Sequence, residues 1–193
     1  MKIVLIDYGA GNVQSVKYAL NRLGIEPSLT KDHNEIKSAD KVIFPGVGSA
    51  KAAMEQLKAS GLDELIPTLT QPVLGICVGM QLMCKHSEEG NVKCLGIIDS
   101  EVKKFKPGLK IPHMGWNNIS DLKSPLFQGL PTEHQVYFVH SYYVPVNEYT
   151  IATTDYSNDF SAAIKKDNFY AVQFHAEKSG DIGEQILKKF LAL

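Results

Sequence analysis

The stretch Pro72-Val-Leu-Gly-Ile-Cys-Val-Gly-Met-Gln81 decides the fold, because an apolar run passes directly into a helical pattern. Its first half is typical of a strand buried on both faces, and residues 78–85 form a predicted helix. Cys77 stands at the turn, with Gly75 and Gly79 two residues to either side. Small neighbours relieve a crowded backbone, as in the nucleophile elbow of hydrolases. The helix N-terminus would favour the reactive thiolate, although a free cysteine is more often a buried small hydrophobe.

The same alternation of strand and helix extends from this stretch towards the N-terminus. The patterns predict strands at residues 2–7, 25–30 and 41–44, and helices at residues 12–23 and 49–59. Strands that alternate with helices of this length imply right-handed β-α-β units. We therefore expect a mostly parallel central sheet between two layers of helices.

Beyond residue 92, short extended segments replace this alternation. They include residues 95–104, 136–146 and 169–174, and several are expected to pair antiparallel. A final helix is predicted at residues 179–193, where apolar side chains form one stripe. Since no repeat or linker divides the chain, residues 1–193 are predicted to form a single α/β domain with a smaller antiparallel or mixed β region.

The composition is that of an ordinary soluble globular protein, with 193 residues, 44% hydrophobic and 21% charged. A net charge of −1 gives no electrostatic reason to bind nucleic acid or an anionic membrane, and no stretch approaches the ~20 apolar residues of a membrane span. The three cysteines, Cys77, Cys84 and Cys94, lack C-x-x-C spacing. This pattern argues against a disulfide framework or structural zinc and places the protein in a reducing cytoplasm. Cys84, inside the predicted helix, and Cys94 are interpreted as structural.

A nucleophilic thiol needs a general base, and His175 is the strongest candidate among six histidines. It follows the apolar run Phe169-Tyr-Ala-Val-Gln-Phe174, and Glu177 stands two residues beyond it. In an extended chain these two side chains face the same side, so the carboxylate could orient the imidazole. A solvated strand end or a stray metal ligand explains this pair equally well when it is considered alone. The other ligands of a metal site are missing at the proper spacing.

The segment Phe44-Pro-Gly-Val-Gly48 follows a predicted strand and should emerge at the same sheet edge as Cys77. Its two glycines would let backbone amides approach a developing oxyanion. A plain strand-to-helix turn is the alternative, and the segment taken alone favours it.

Together these motifs resemble the class I, triad-type glutamine amidotransferases, and the resemblance covers essentially all 193 residues. Residues 75–81 and 173–179 are similar to the nucleophile motif and the His–Glu motif of the family. The segments at residues 7–12, 44–48 and 112–117 further resemble the glutaminase subunits of imidazole glycerol phosphate synthases.

The resemblance implies that the chain hydrolyses L-glutamine to glutamate and ammonia and delivers the ammonia to a (β/α)8-barrel cyclase in histidine biosynthesis. It implies a heterodimer and no metal or organic cofactor. Cys77 would attack the amide, His175 would move the proton and Glu177 would orient His175. The resemblance assigns further residues to the oxyanion (Val47, Gly48, Val78), to glutamine (Gly46, Gly48, Gln81, His140, Ser141, Tyr142) and to the cyclase interface (Asn12, Trp116, Tyr137, Lys178).

Ala176 departs from the family pattern, which usually has proline between the histidine and the glutamate. Alanine releases the backbone φ angle that proline would fix. Similar paralogues supply ammonia for bacterial surface-sugar biosynthesis, so that pathway is an alternative. A non-catalytic regulatory module of the same fold and a free-standing cysteine hydrolase are two others.

Overall fold

The computed structural model describes residues 1–9, 13–106, 108, 110–131 and 134–193, and thirteen strands lie in these ranges. In chain order they are β1 (Ile3–Ile6), β2 (Ser28–Thr30), β3 (Lys41–Gly46), β4 (Val73–Cys77), β5 (Cys84–Ser87), β6 (Val92–Lys93), β7 (Ile98–Lys104), β8 (His113–Asn118), β9 (Gln135–His140), β10 (Tyr142–Tyr143), β11 (Thr150–Asp155), β12 (Asp159–Lys166) and β13 (Phe169–Val172). The α-helices in the described ranges are α1 (Val13–Arg22), α2 (His33–Lys37), α3 (Ala50–Ala59), α4 (Leu62–Leu65), α5 (Val78–Leu82) and α6 (Gly180–Ala192). None of these helices has the length and apolar character that crossing a membrane requires.

Seven strands form the central sheet, in the order β11-β12-β13-β4-β3-β1-β2. The five strands from β13 to β2 are parallel, and β12 and β11 add antiparallel neighbours. All residues of β1, β3 and β4 are buried, as their apolar runs predict. The connection from β1 to β2 crosses the sheet in the opposite direction from the connection from β3 to β4. Because such connections are right-handed, α1 and α3 cover opposite faces of the sheet. The predicted three-layer α/β fold is confirmed.

Two smaller sheets make up the predicted mixed β region. One has four strands in the order β10-β7-β5-β6, with β5 parallel to β7. The other pairs β8 with β9 antiparallel, so that His113 lies opposite His140. The other extended segments after residue 92 form β11, β12 and β13, which belong to the central sheet.

The helix predicted at residues 78–85 is too long, because α5 ends at Leu82. Cys84 therefore begins strand β5 and does not lie inside a helix, which corrects the sequence interpretation. The carbonyl oxygens of Leu82 and Met83 accept hydrogen bonds from Leu95 (2.9 Å) and Ile98 (2.8 Å). Hydrogen bonds to residues more than ten positions later in the sequence therefore replace the next helical turn.

The extended segment predicted at residues 136–146 is also divided. β9 ends at His140 and β10 begins at Tyr142, and the two strands belong to different sheets. Ser141 lies at this change of sheet. The strands predicted at residues 25–30 and 169–174 are shorter than expected, because β2 begins at Ser28 and β13 ends at Val172.

Candidate active site

Cys77 lies on a strained turn between β4 and α5. Its backbone φ of 54° is in the left-handed region, which residues with a side chain rarely adopt. A Cβ atom on Gly79 would stand 2.0 Å from the carbonyl oxygen of Phe44, and one on Gly75 would stand 3.1 Å from the Cβ of Ala171. The glycines that frame Cys77 are therefore required by the close approach of backbone and neighbouring strands.

The turn after β3 reaches the same sheet edge as Cys77, as predicted. Gly46 is the register partner of Cys77 in the β3–β4 pair. Val47 and Gly48 follow it and line one cavity together with Val78. Gly46 itself is buried beneath this turn, where a Cβ atom would stand 2.7 Å from the amide nitrogen of Gly79.

His175 and Glu177 form a buried pair. The Nδ1 atom of His175 lies 2.7 Å from Oε1 of Glu177, and the two residues are 4% and 8% exposed. The chain between them is a 3-10 turn at Ala176–Lys178, so the extended i, i+2 geometry expected from the sequence is wrong although the two side chains do meet. The amide of His175 donates to the carbonyl of Tyr137 at 2.9 Å, which holds the turn against β9.

The electrostatic environment of His175 favours its charged form. Burial alone would lower the pKa of His175, but interactions with the Cys77 sulfur and the Glu177 carboxylate outweigh burial and raise the pKa to about 10. The imidazole therefore carries a proton at neutral pH. Burial and the nearby Cys77 also raise the pKa of Tyr8, whose hydroxyl donates to the carbonyl of Pro45 at 3.1 Å.

A cavity of about 480 Å³ opens over these groups. This volume is within the usual range for small-molecule sites. Its lining comprises Val47, Gly48, Cys77, Val78, Gln81, Glu89, Pro112, Val139, His140, Ser141, Tyr142, His175 and Lys178. In the parts of the chain that the structure describes, no group of three or more His, Cys, Asp or Glu side chains is arranged to hold a metal ion.

Two residues of the site were missed by the sequence analysis. The amide Nε2 of buried Gln173 donates to Sγ of Cys77 at 3.8 Å, and its Oε1 accepts from Gln81 at 3.0 Å. Position 173 precedes His175 by two residues in the predicted extended run, so strand alternation would place the two side chains on one face and offered a usable signal. Glu89 lies at the cavity wall, where its carboxylate accepts from the amide of Ala50 at 2.7 Å. The polar turn that contains Glu89 has no sequence pattern that would indicate a functional residue.

Of the three described residues predicted to face a partner, only Lys178 lines the cavity, and it is exposed. Trp116 and Tyr137 are cross-strand partners with ring centroids 5.8 Å apart, and neither residue lines the cavity. Trp116 is 54% exposed, and Met114, on the same face of β8, is 61% exposed. Asn12 lies outside the described residues.

The parallel sheet, the cysteine elbow and the His–Glu pair together define an amidotransferase of the triad type. The family model of glutamine amidotransferase class-I matches residues 4–193, and the chain belongs to this family. A Bacteroides fragilis protein named imidazole glycerol phosphate synthase subunit HisH is 62% identical over 196 residues, covering 100% of both chains. The protein of that name from Haemophilus influenzae is 51% identical and covers 99% of this chain and 97% of its own.

Solved structures agree with this fold. A glutamine amidotransferase superposes with a TM-score of 0.79 at 17% identity, covering 100% of this chain and 98% of its own. A second glutamine amidotransferase, from Thermotoga maritima, has a TM-score of 0.65 at 16% identity and covers 100% of this chain and 83% of its own. At these identities the likeness concerns the fold alone.

Proposed function

We propose that this chain is the glutaminase subunit of an imidazole glycerol phosphate synthase. It hydrolyses L-glutamine to glutamate and ammonia, and the ammonia passes to a separate (β/α)8-barrel cyclase in histidine biosynthesis. The family membership and the relatives at 62% and 51% identity support this assignment. The observation that carries it is that Cys77 and His175 line one cavity while Glu177 is hydrogen-bonded to His175.

The first half of the reaction uses the protonated state of His175. The Cys77 thiolate forms a bond to the carbonyl carbon of the side-chain amide, and the electron pair moves onto the carbonyl oxygen. The amides of Val78 and of Val47 or Gly48 stabilise this oxyanion. The imidazolium of His175 then gives its proton to the amide nitrogen. The carbon–nitrogen bond breaks and neutral ammonia leaves.

The second half restores the enzyme. Water attacks the resulting thioester while the now neutral His175 takes a proton from it. The carbon–sulfur bond breaks, glutamate leaves, and the thiolate–imidazolium pair is present again. Glu177 remains ionised throughout, since its role is to orient His175 and stabilise the imidazolium.

The cavity wall offers groups that suit the amino-acid end of glutamine. Glu89 would accept a hydrogen bond from the α-ammonium group, because its carboxylate is the acidic group among the lining residues. Gln81, Ser141 and Tyr142 would contact the rest of the substrate, as the family resemblance implies. Gly46 supports the oxyanion turn from below and would act through Val47 and Gly48.

The partner would dock on the face of β8 and β9 beside the cavity. Met114 and Trp116 expose large apolar side chains there, and residues of this kind anchor protein interfaces. Tyr137 packs against Trp116, and Lys178 is an exposed residue of the cavity lining. Asn12, by resemblance, would join the same interface.

We also treat residues 1–193 as one glutaminase domain that works in the cytoplasm. The central sheet includes both β1 and β13, strands from the two ends of the described chain, which supports one domain. Cys77, Cys84 and Cys94 are all free thiols, and the reaction needs Cys77 reduced, which suits a reducing compartment.

The test is glutamine hydrolysis by the full chain, alone and with a purified barrel cyclase. We expect glutamate release to require Cys77 and to increase when the cyclase and its nucleotide substrate are added. Cys77→Ala should abolish release, whereas Cys94→Ala, which alters a cysteine outside the cavity, should retain it. Equal glutamate release by Cys77→Ala and the parent would contradict the assignment.

The pathway is tested by the product of the pair. Glutamine-dependent formation of imidazole glycerol phosphate is the expected result. Hydrolysis without that product, in the presence of a cyclase that is active with ammonium salts, would indicate the surface-sugar paralogue. Full turnover of the isolated chain would instead indicate a free-standing hydrolase.

A further inference from the structure

Two buried histidines are hydrogen-bonded to each other beside the cavity. The Nδ1 atom of His113 lies 3.0 Å from Nε2 of His140, and the two residues are 3% and 6% exposed. His140 was expected to bind the substrate, but both of its ring nitrogens already have protein partners, because its Nδ1 lies 2.7 Å from the carbonyl oxygen of Tyr142. The pair therefore needs a different explanation.

The ends of the chain of hydrogen bonds fix its direction. The carbonyl oxygen of Tyr142 can only accept, so Nδ1 of His140 carries the hydrogen. In a neutral ring Nε2 of His140 then accepts, which makes Nδ1 of His113 the donor and Nε2 of His113 an acceptor. Asn117 supplies the last donor, since its Nδ2 lies 3.4 Å from Nε2 of His113.

The amide orientation of Asn117 is itself fixed at both ends. Its Nδ2 also donates to the carbonyl of Asp155 at 2.9 Å, and its Oδ1 accepts from the amide of Asn118 at 2.8 Å. Every hydrogen bond in this series, from Asn117 to the carbonyl of Tyr142, is thus satisfied when both imidazoles are neutral Nδ1–H tautomers. A second proton on either ring would bring two N–H groups face to face.

Aromatic rings enclose the pair and support its neutral state. The rings of Tyr156 and Phe138 stack on His113, with centroid distances of 4.0 Å and 4.8 Å, and the ring of Phe105 lies 5.3 Å from that of His140. Burial in these surroundings lowers the pKa of His113 to about 4 and that of His140 to about 3. Both rings therefore remain uncharged at neutral pH.

The carbonyl of Tyr142 connects this pair to the substrate cavity. It also accepts a hydrogen bond from Nε2 of Gln81 at 2.9 Å, and the second hydrogen of that amide is donated to Gln173 at 3.0 Å. Both donors of Gln81 are thereby used. Its side chain lines the cavity with Oε1 left as the group that can accept from a ligand.

We propose that the neutral His113–His140 pair is a positioning element that fixes the carbonyl of Tyr142 and, through it, the Gln81 amide, so that Gln81 presents an acceptor to the α-ammonium group of the substrate. The inference rests on the proposed function for the identity of that substrate. His113 acts through other residues, and His140 orients the wall without using its imidazole as a ligand.

The first test reads the tautomers directly. In ¹⁵N NMR spectra of the full-length parent, Nδ1 of both histidines should be protonated and Nε2 unprotonated at neutral pH. An Nε2–H tautomer or an imidazolium at His140 would overturn the proposal. This measurement does not depend on activity. A failure of the proposed function would be detected separately, as absent glutamine hydrolysis or as hydrolysis that does not require Cys77.

The second test separates hydrogen bonding from packing. His113→Phe keeps an aromatic ring between Tyr156 and Phe138 but removes the donor, whereas His113→Asn is smaller but places an amide N–H near the position of Nδ1. We expect His113→Phe to raise the KM for glutamine about three- to tenfold with a smaller change in kcat, as the loss of one hydrogen bond implies. His113→Asn should stay closer to the parent.

A control is available in His86, whose Nε2 bonds to Asn91 at 2.9 Å outside the cavity lining. His86→Phe should leave the KM unchanged. An unchanged KM in His113→Phe, or a larger increase in His113→Asn than in His113→Phe, would overturn the proposal in favour of simple packing. If His113→Phe does not fold, as judged by circular dichroism, the tautomers of the parent decide.

Discussion

Oε1 of Glu177 accepts a 2.7 Å hydrogen bond from Nδ1 of His175 across a single 3-10 turn, in a pair that is almost entirely buried. The carboxylate both selects the ring tautomer and favours the imidazolium. It is one of the two groups that raise the pKa of His175 to about 10. The charge state of the proton-transfer group is therefore set by its neighbours.

Replacing Glu177 with glutamine should affect both the pKa and the rate. In Glu177→Gln we expect the pKa of His175 to fall, as read from the pH dependence of its ring resonances in NMR. Glutamine hydrolysis should fall by about 10²- to 10⁴-fold, the usual range for loss of a group that supports a general base. An unchanged His175 titration would contradict the role given to Glu177.

The same pair predicts how stability depends on pH. The pKa of His175 is raised to about 10 in the folded chain and is near 6.5 when unfolded. Between these values the unfolded chain releases a proton that the folded chain keeps, so the stabilising contribution is full below pH 6.5 and is lost as pH rises towards 10. The free energy of unfolding in urea should fall less steeply over this window in Glu177→Gln than in the parent. Parallel slopes would contradict this prediction.

Gln173 should support the nucleophile through its N–H donor. Gln173→Glu keeps an oxygen to accept from Gln81 but removes the donor that contacts Cys77. We expect alkylation of Cys77 by iodoacetamide and glutamine hydrolysis to slow by about ten- to a hundredfold, as for loss of a hydrogen bond to a charged group. Gln71→Glu is the matched control, because Gln71 donates to Ile36 and does not line the cavity. Equal alkylation rates in all three proteins would exclude this role.

Gly79 should tolerate no side chain. Its added Cβ would meet the carbonyl oxygen of Phe44 at 2.0 Å, so Gly79→Ala must displace either β3 or the elbow. We expect the free energy of unfolding to fall by about 3 kcal/mol, at the upper end for overpacking. Gly129→Ala places a Cβ in open space at a positive φ and should cost only about 1 kcal/mol. Similar losses in both variants, measured by urea unfolding, would show that the close contact with Phe44 is unimportant.

Glu89 should discriminate for the amino group of glutamine. In Glu89→Gln the KM for glutamine should rise about tenfold or more. The KM for a glutamine analogue that lacks the α-amino group should change little. Glu88→Gln is the control, since Glu88 accepts from the amide of Lys104 and does not line the cavity. An equal rise in KM for both substrates would show that Glu89 acts only through the shape of the wall.

The sequence predicts those parts of the fold that depend on local patterns. The buried strands β1, β3 and β4 and the turn at Cys77 follow from apolar runs and glycine spacing, which act over a few residues. The end of α5 does not, because its last carbonyls pair with Leu95 and Ile98 after the chain has returned. The break at Ser141 is equally non-local, since it depends on β7 accepting a short strand.

The candidate site shows the same division. Cys77, His175 and Glu177 stand out because their residue types are unusual at the ends of apolar strands. The 3-10 turn between His175 and Glu177 has no pattern of its own in three residues. Glu89 reaches the cavity only because a polar loop folds against the start of α3, and such a contact leaves no periodic trace.

Gly46 and Cys77 occupy opposed positions on adjacent parallel strands. Because side chains alternate between the faces of a strand, a slip of the β3–β4 pairing by one residue would carry the sulfur to the far face and away from the turn that follows Gly46. The alignment of nucleophile and oxyanion turn is thus encoded in the interior ladder. Apolar residues that never meet glutamine, deep in the middle of the sheet, decide whether acyl transfer is geometrically permitted.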